Sequence, residues 1–356
     1  MTLSVAEPRS GLAAVPERLR FDLPPELEAS APPEARGIRR DEVRMMAATR
    51  HDLGIVHTTF SELPQHLDAG DLVVVNTSDT LPAAVDATGP SGELFRLHLS
   101  TRLPADLWVV EVRKDDHPFP HAQAGWTLAL PSGGAVELLA PYARSHGRLW
   151  VAALRLPDPL LTFLARHGRP IRYGYVAGSW PIAMYQNVYA NEPGSAEMPS
   201  AGRPFTPEVI TRLVAKGVGV VPIVLHTGVS SLEAHEPPYP EQFRVSAHTA
   251  HAVNDTRRQG GRVIAVGTTV VRALETVVDE RGHVHAGEGW TEKVITPMSG
   301  VRSADGLLTG WHEPEASHLD MLDAIAGRPL VERSYRAALA EGYLWHEFGD
   351  VHLVLP

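Results

Sequence analysis

Residues 262–275, RVIAVGTTVVRALE, constrain this chain most, because they join a buried strand to a helix through a turn suited to an anion. Val263 to Val266 predict a short apolar strand and Gly267 a tight turn, with Thr268 and Thr269 capping a helix that starts near Val270. Helix starts carry free backbone N–H groups and positive potential, and Arg272 falls in the expected first turn with a guanidinium that suits a carboxylate or phosphate. A plain strand–turn–helix with a capping threonine would use the same residues, so the motif alone leaves both readings open.

With 356 residues the chain exceeds what one simple core usually holds, which predicts two domains or one domain carrying an insertion. The net charge of −10 argues against a general nucleic-acid coat, although a local basic groove stays open. There is no cysteine, hence no disulfide, no thiolate nucleophile and no cysteine zinc site. Catalysis must therefore use histidine, carboxylates, hydroxyls or backbone dipoles. Val218 to Leu225 is the longest apolar run, too short to cross a bilayer, and the N-terminus lacks the pattern of a secretory signal. A cytoplasmic protein without a membrane partner is expected.

The first 37 residues are rich in Pro, Ala and Glu and are expected to wrap over the body, anchored by Phe21, Leu23 and Leu27. From Asp71, the runs DLVVVN, ELFRLHL, DLWVVEV, WTLAL, AVELLA and RLWVAALRL predict six short strands, a small barrel or sandwich over residues 70–156. Flanking segments alternate helices with apolar strands. Thr206-Pro207-Glu208 starts a helix that Gly217 stops, and Ser246 caps another. The fold class read from this texture is α/β, a mostly parallel sheet with helices over residues 1–69 and 157–356, interrupted by the barrel.

In such sheets ligands collect beyond the carboxyl ends of the strands, so the loops after Leu225 and Val266 are expected to border one crevice. The first holds His226, Thr227 and Gly228, and a histidine there serves as acid, base or donor, or merely satisfies a backbone carbonyl. Residues 184–206 form a long loop dense in Tyr, Asn, Gly and Pro; Tyr185, Gln186 and Tyr189 suit a nucleoside, and a loop stitched down by two tyrosine rings is the alternative. Near the C-terminus, His312, Glu313, Glu315, His318 and Asp320 match no standard metal spacing, so no metal is expected. No GxGxxG, Walker A or GxSxG motif occurs.

FDLPPEL at 21–27, SELPQHLDAGDLVVVNTSDTLPA at 61–83, YQNVYA at 185–190, SAGRPFT at 200–206, VLHTG at 224–228, RVIAVGTTVVRALE at 262–275 and GWTEKVITP at 289–297 together resemble the S-adenosylmethionine:tRNA ribosyltransferase-isomerase family of queuosine biosynthesis. The resemblance spans nearly the whole chain and implies an α/β domain interrupted by a β-barrel. It further implies transfer of the ribosyl part of S-adenosylmethionine to a 7-aminomethyl-7-deazaguanine base in tRNA, giving epoxyqueuosine and releasing adenine and methionine. S-adenosylmethionine is then a substrate, and no cofactor or metal is needed beyond it. On the matched motifs, Ser200, Gly202, Thr227, Gly228, Gly267, Thr268, Thr269, Arg272, Glu275 and Trp290 join Tyr185, Gln186 and Tyr189 as expected substrate-binding residues, with His226 and His312 as proton-transfer candidates.

The chain also departs from the family pattern. Arg203-Pro204 replaces Leu-His, Glu315 stands for Lys, Asp79 for Arg, and His235 to Tyr239 replaces a His-rich segment. These changes fall where a second substrate would bind. They leave open a paralogue that uses or rearranges S-adenosylmethionine with a small-molecule acceptor, and thirdly a non-catalytic RNA-binding protein.

Overall fold

Four parallel strands, Gly219–Leu225, Leu72–Asn76, Val263–Val266 and Gly306–Gly310, lie side by side at the centre of a nine-stranded sheet in the computed structural model. The structure describes residues 18–142, 145, 147–229 and 238–356. Residues 235–237 of the segment that departs from the family pattern lie outside that set, as do residues 1–17.

The parallel strands read as unbroken apolar runs because both faces are covered. On one face Leu72, Val74, Ile223, Leu225, Val263 and Ala265 meet Val270, Val271 and Leu274 of the helix Thr268–Val277. On the other, Val73, Val75, Ile264, Val266 and Leu308 meet Val209 and Leu213 of the helix Pro207–Lys216. That helix begins and ends as expected: Thr206 Oγ1 accepts the Val209 N–H, and Gly217 closes it in the left-handed region at φ 89°.

The sheet is mixed rather than parallel throughout. Val351–Leu355 runs antiparallel to Gly306–Gly310 and parallel to Arg44–Thr49, whose hairpin partner is Ile55–Thr59. At the opposite edge Glu241–Val245 and Gly287–Thr291 add in antiparallel fashion. The chain after residue 18 lies on this body, with the Phe21 ring 5.3 Å from that of Tyr335.

Six antiparallel strands form a closed barrel: Ala84–Thr88, Leu94–Arg102, Leu107–Lys114, Thr127–Ala129, Ala135–Pro141 and Leu149–Arg155. Closure comes from the last strand, which pairs with both Ala135–Pro141 and Leu107–Lys114. Val85, Leu97, Val110, Leu128, Val136 and Ala152 fill its interior.

Two sequence expectations change here. DLVVVN, expected in the barrel, is the strand Leu72–Asn76 of the large sheet, so the boundary at residue 70 falls too early. The sixth barrel strand is instead Ala84–Thr88, whose small side chains AVDAT give too weak a hydrophobic signal beside its neighbours.

Candidate active site

Asn76 closes the apolar run of its strand and ties three loops together. Its Oδ1 accepts the N–H groups of Leu225 at 3.0 Å and Ser78 at 3.1 Å, while Nδ2 donates to the Leu225 carbonyl at 2.8 Å and lies 3.5 Å from Thr269 Oγ1. The loops after Leu225 and Val266 are thus neighbours, with the Asn76 loop between them. Asn76 and Ser78 were not singled out from sequence; the available signal was a polar residue ending an otherwise wholly apolar strand.

His226 leaves the sheet next to this junction. Its Nδ1 lies 2.7 Å from Ser78 Oγ, which is 2.6 Å from Ser195 Oγ, and Ser195 Oγ accepts the Thr227 N–H at 3.1 Å. Nε2 faces Glu192 at 4.0 Å, and the Glu192 carboxylate is itself paired with Arg244. Burial pulls the imidazole pKa below its ordinary 6.5; Glu192 opposes this and Arg244 adds to it. The ring is neutral at pH 7 and its inner nitrogen is fixed by hydroxyls.

The loop is pinned from the barrel side as well. Gly228 N–H donates to Glu241 at 3.1 Å, Val229 N–H donates to Ser100 Oγ at 2.9 Å, and a Cβ at Gly228 would stand 2.9 Å from both Ser100 and Thr101 hydroxyls. Thr227 Oγ1 donates to the Glu197 carbonyl at 2.5 Å. Sheet, barrel and the 192–197 segment therefore converge on His226.

The helix after Val266 starts at Thr268, earlier than expected, and neither threonine caps it. Gly267 occupies the cap position at φ 90° and ψ 156°, a conformation essentially confined to glycine. Arg272 consequently lies in the second turn. Its guanidinium pairs with Glu241 and donates to the carbonyls of Lys293 at 3.1 Å, Tyr239 at 3.2 Å and Thr291 at 3.4 Å. It acts as a clamp between helix and edge strands, rather than an open fork at the helix start.

Glu275 is also engaged within the protein, accepting the N–H groups of Arg302 and Ser303 at 2.7 Å and the Ser303 hydroxyl at 2.6 Å. Trp290 sits on the edge strand Gly287–Thr291 with 37% of its surface exposed, available to a ligand.

In the 184–206 segment, Gln186 braces the backbone of Thr80 from both sides, accepting its N–H at 3.0 Å and donating to its carbonyl at 2.8 Å. Tyr189 packs in the protein: its ring is partly buried against Phe205 at 5.7 Å, and a Cβ at Gly202 would stand 1.9 Å from its hydroxyl. Ser200 and Gly202 bound the short 3-10 turn Ser200–Gly202 beneath it. Tyr185 and Gln186 face a cavity of about 580 Å³ between the barrel and residues 168–186, within the range that holds small-molecule ligands.

His312 follows the interior strand Gly306–Gly310, at the carboxyl end of the parallel strands. Nε2 lies 2.8 Å from Thr309 Oγ1, and the ring stacks on His318 at 4.6 Å. Burial lowers both pKa values, that of His318 to about 4, so both rings are neutral at pH 7. No group of three or more His, Asp or Glu is placed to hold a metal among the described residues, and no helix there is long and apolar enough to cross a membrane.

A family model described as queuosine biosynthesis protein matches residues 17–354. The S-adenosylmethionine:tRNA ribosyltransferase-isomerase of Symbiobacterium thermophilum is 36% identical over 94% of this chain and 98% of its own length. That of Desulfitobacterium hafniense is 33% identical over 95% of this chain and 99% of its own. The crystal structure of S-adenosylmethionine tRNA ribosyltransferase from Thermotoga maritima aligns with a TM-score of 0.53 at 28% identity, covering 94% of this chain and 99% of that one.

Proposed function

The chain belongs to the queuosine biosynthesis protein family, and from that premise we propose that it is an S-adenosylmethionine-dependent ribosyltransferase-isomerase acting on tRNA. It transfers the ribosyl part of S-adenosylmethionine to the aminomethyl group of a 7-aminomethyl-7-deazaguanine base, forms epoxyqueuosine and releases adenine and methionine. The small-molecule and non-catalytic alternatives raised by the departures at Asp79, Pro204 and Glu315 lose weight, because curated relatives of this one activity match nearly end to end.

The observation that carries the site assignment is the His226–Ser78–Ser195 chain at the carboxyl ends of the parallel strands. The sulfonium of S-adenosylmethionine acidifies the adjacent CH₂, and a neutral imidazole accepts that proton. With Nδ1–H donated to Ser78, the Nε2 lone pair faces the crevice, and the imidazolium that forms is favoured by Glu192. Loss of the proton starts the elimination of adenine. His312, neutral and held by Thr309, is the second proton-transfer candidate and in that state acts as an acceptor; the proton taken up by His226 is the one available to the leaving adenine. Thr268 and Thr269, with the free N–H groups of their helix start, offer the nearest place for the methionine carboxylate. Residues 84–155 act as an inserted barrel domain that supports the His226 loop.

Mass spectrometry of adenine and methionine formed from S-adenosylmethionine, with and without tRNA carrying the aminomethyl base, tests the reading. Release that depends on that tRNA is expected; release without it would move the chain to another acceptor.

A further inference from the structure

His312 and His318 lie six positions apart in the chain, yet their imidazoles stack face to face, with centroids 4.6 Å apart and planes 10° from parallel. The chain turns back between them at Glu315, which takes the left-handed region at φ 59°. Residues 18–20 hold that turn from outside. The Leu19 carbonyl accepts the Glu315 N–H at 3.2 Å, and Arg18 donates to the Glu315 carbonyl at 3.2 Å while pairing with Asp320 at 3.0 Å. Arg20 pairs with the Glu315 carboxylate at 2.5 Å. The acids at 315 and 320 thus fix the turn that brings the two rings together.

The two rings are anchored differently. His318 is the second residue of the helix Ser317–Ala326, whose Leu319, Leu322 and Ile325 belong to the core, so its backbone is rigid. His312 sits in the loop after the strand Gly306–Gly310. There Trp345 Nε1 donates to its carbonyl at 3.0 Å, and its own N–H donates to the Tyr335 hydroxyl at 3.3 Å. Those contacts hold the backbone rather than the imidazole. Among the described residues the imidazole makes one hydrogen bond, between Nε2 and Thr309 Oγ1 at 2.8 Å. A hydroxyl donates or accepts, so it selects neither tautomer, and the torsion about the ring bond is broad. A flat ring at stacking distance removes that freedom. It also places a neutral aromatic face under the imidazolium that forms when His312 accepts a proton.

Resting on the proton-transfer role proposed above for His312, we infer that His318 is a positioning residue for the reaction: its ring fixes the plane of the His312 imidazole and with it the direction of the remaining nitrogen, Nδ1. His318 itself transfers no proton in this role. The histidines, Glu315 and Asp320, which match no metal spacing in the sequence, then form one device that aims a single imidazole.

His318→Phe keeps a flat ring and His318→Leu keeps only apolar bulk, so the pair separates orientation from packing. In tRNA-dependent adenine release His318→Leu should lower kcat about tenfold at unchanged KM for S-adenosylmethionine, and His318→Phe should stay within about threefold of native. Nitrogen-15 shifts of the His312 imidazole at pH 7, which require no turnover, should show one well-defined state in the native protein and in His318→Phe, and averaging in His318→Leu. Melting temperatures report that the variants fold. Native kcat in His318→Leu, an equal loss in both variants, or His312 shifts unchanged in His318→Leu would overturn the role of His318. A raised KM at native kcat would overturn it too, by placing His318 on the substrate. No adenine release by the native protein with tRNA carrying the aminomethyl base would overturn the reaction reading instead, and the nitrogen shifts would still decide whether His318 orients His312.

Discussion

Gly194 lies against the imidazole of His226 so closely that a Cβ at residue 194 would stand 2.3 Å from Nδ1. Side-chain absence at one residue therefore fixes ring position at another, 32 residues on. Gly194→Ala should push the ring off Ser78 and lower kcat about 100-fold, the scale of a displaced catalytic group, while the overpacking costs about 1–3 kcal/mol of stability. Steady-state kinetics and thermal melts of the same preparation separate the two effects.

Asn76→Asp keeps the acceptor for the Leu225 and Ser78 N–H groups and removes the donor to the Leu225 carbonyl. A carboxylate then faces a buried carbonyl oxygen. Denaturant unfolding should show a loss of about 1–3 kcal/mol, the cost of an unsatisfied buried acceptor.

Arg272→Ala distinguishes a clamp from a ligand contact. Removing the guanidinium leaves Glu241, 13% exposed, and three carbonyls without their donor, which should cost about 3–5 kcal/mol by urea unfolding. Adding Glu241→Gln should recover part of that. Loss of S-adenosylmethionine affinity at unchanged stability would instead place Arg272 on the substrate.

How far the sequence exposed the site depends on the range of the interactions. The turn at Gly267, the caps at Thr206 and Ser246 and the strand before each crevice loop follow from local chemistry and were legible. Arg272 was read as an anion fork because its partners, Glu241 and the carbonyls of the 239–293 region, reach it only through the antiparallel edge of the sheet. Ser78 lies 148 residues from His226, and nothing in either local pattern couples them. Tyr189 looked like a stacking residue since a buried tyrosine and a ligand-facing one have the same sequence signature; only the fit of its hydroxyl over Gly202 separates them.

His352 is fully buried, stacked on Trp311 at 4.7 Å, and both ring nitrogens lack partners. Burial lowers its pKa from 6.5 to about 3. Between those values the unfolded chain binds the proton and the native one does not, so this group makes stability fall as pH drops from 6.5 toward 3. His352→Phe should flatten that acid limb, with a gain on the order of a few kcal/mol near pH 3, read from melting temperature against pH.

The pH dependence of tRNA-dependent adenine release in the native protein and in His226→Asn tests the central claim most directly. Since burial lowers the His226 pKa, the native profile should be flat at pH 7 and fall on an acid limb below 6.5 as the imidazole takes up a proton. His226→Asn should lose about 100-fold or more in rate and lose that limb. A variant that keeps both the native rate and the native acid limb would contradict His226 as the base.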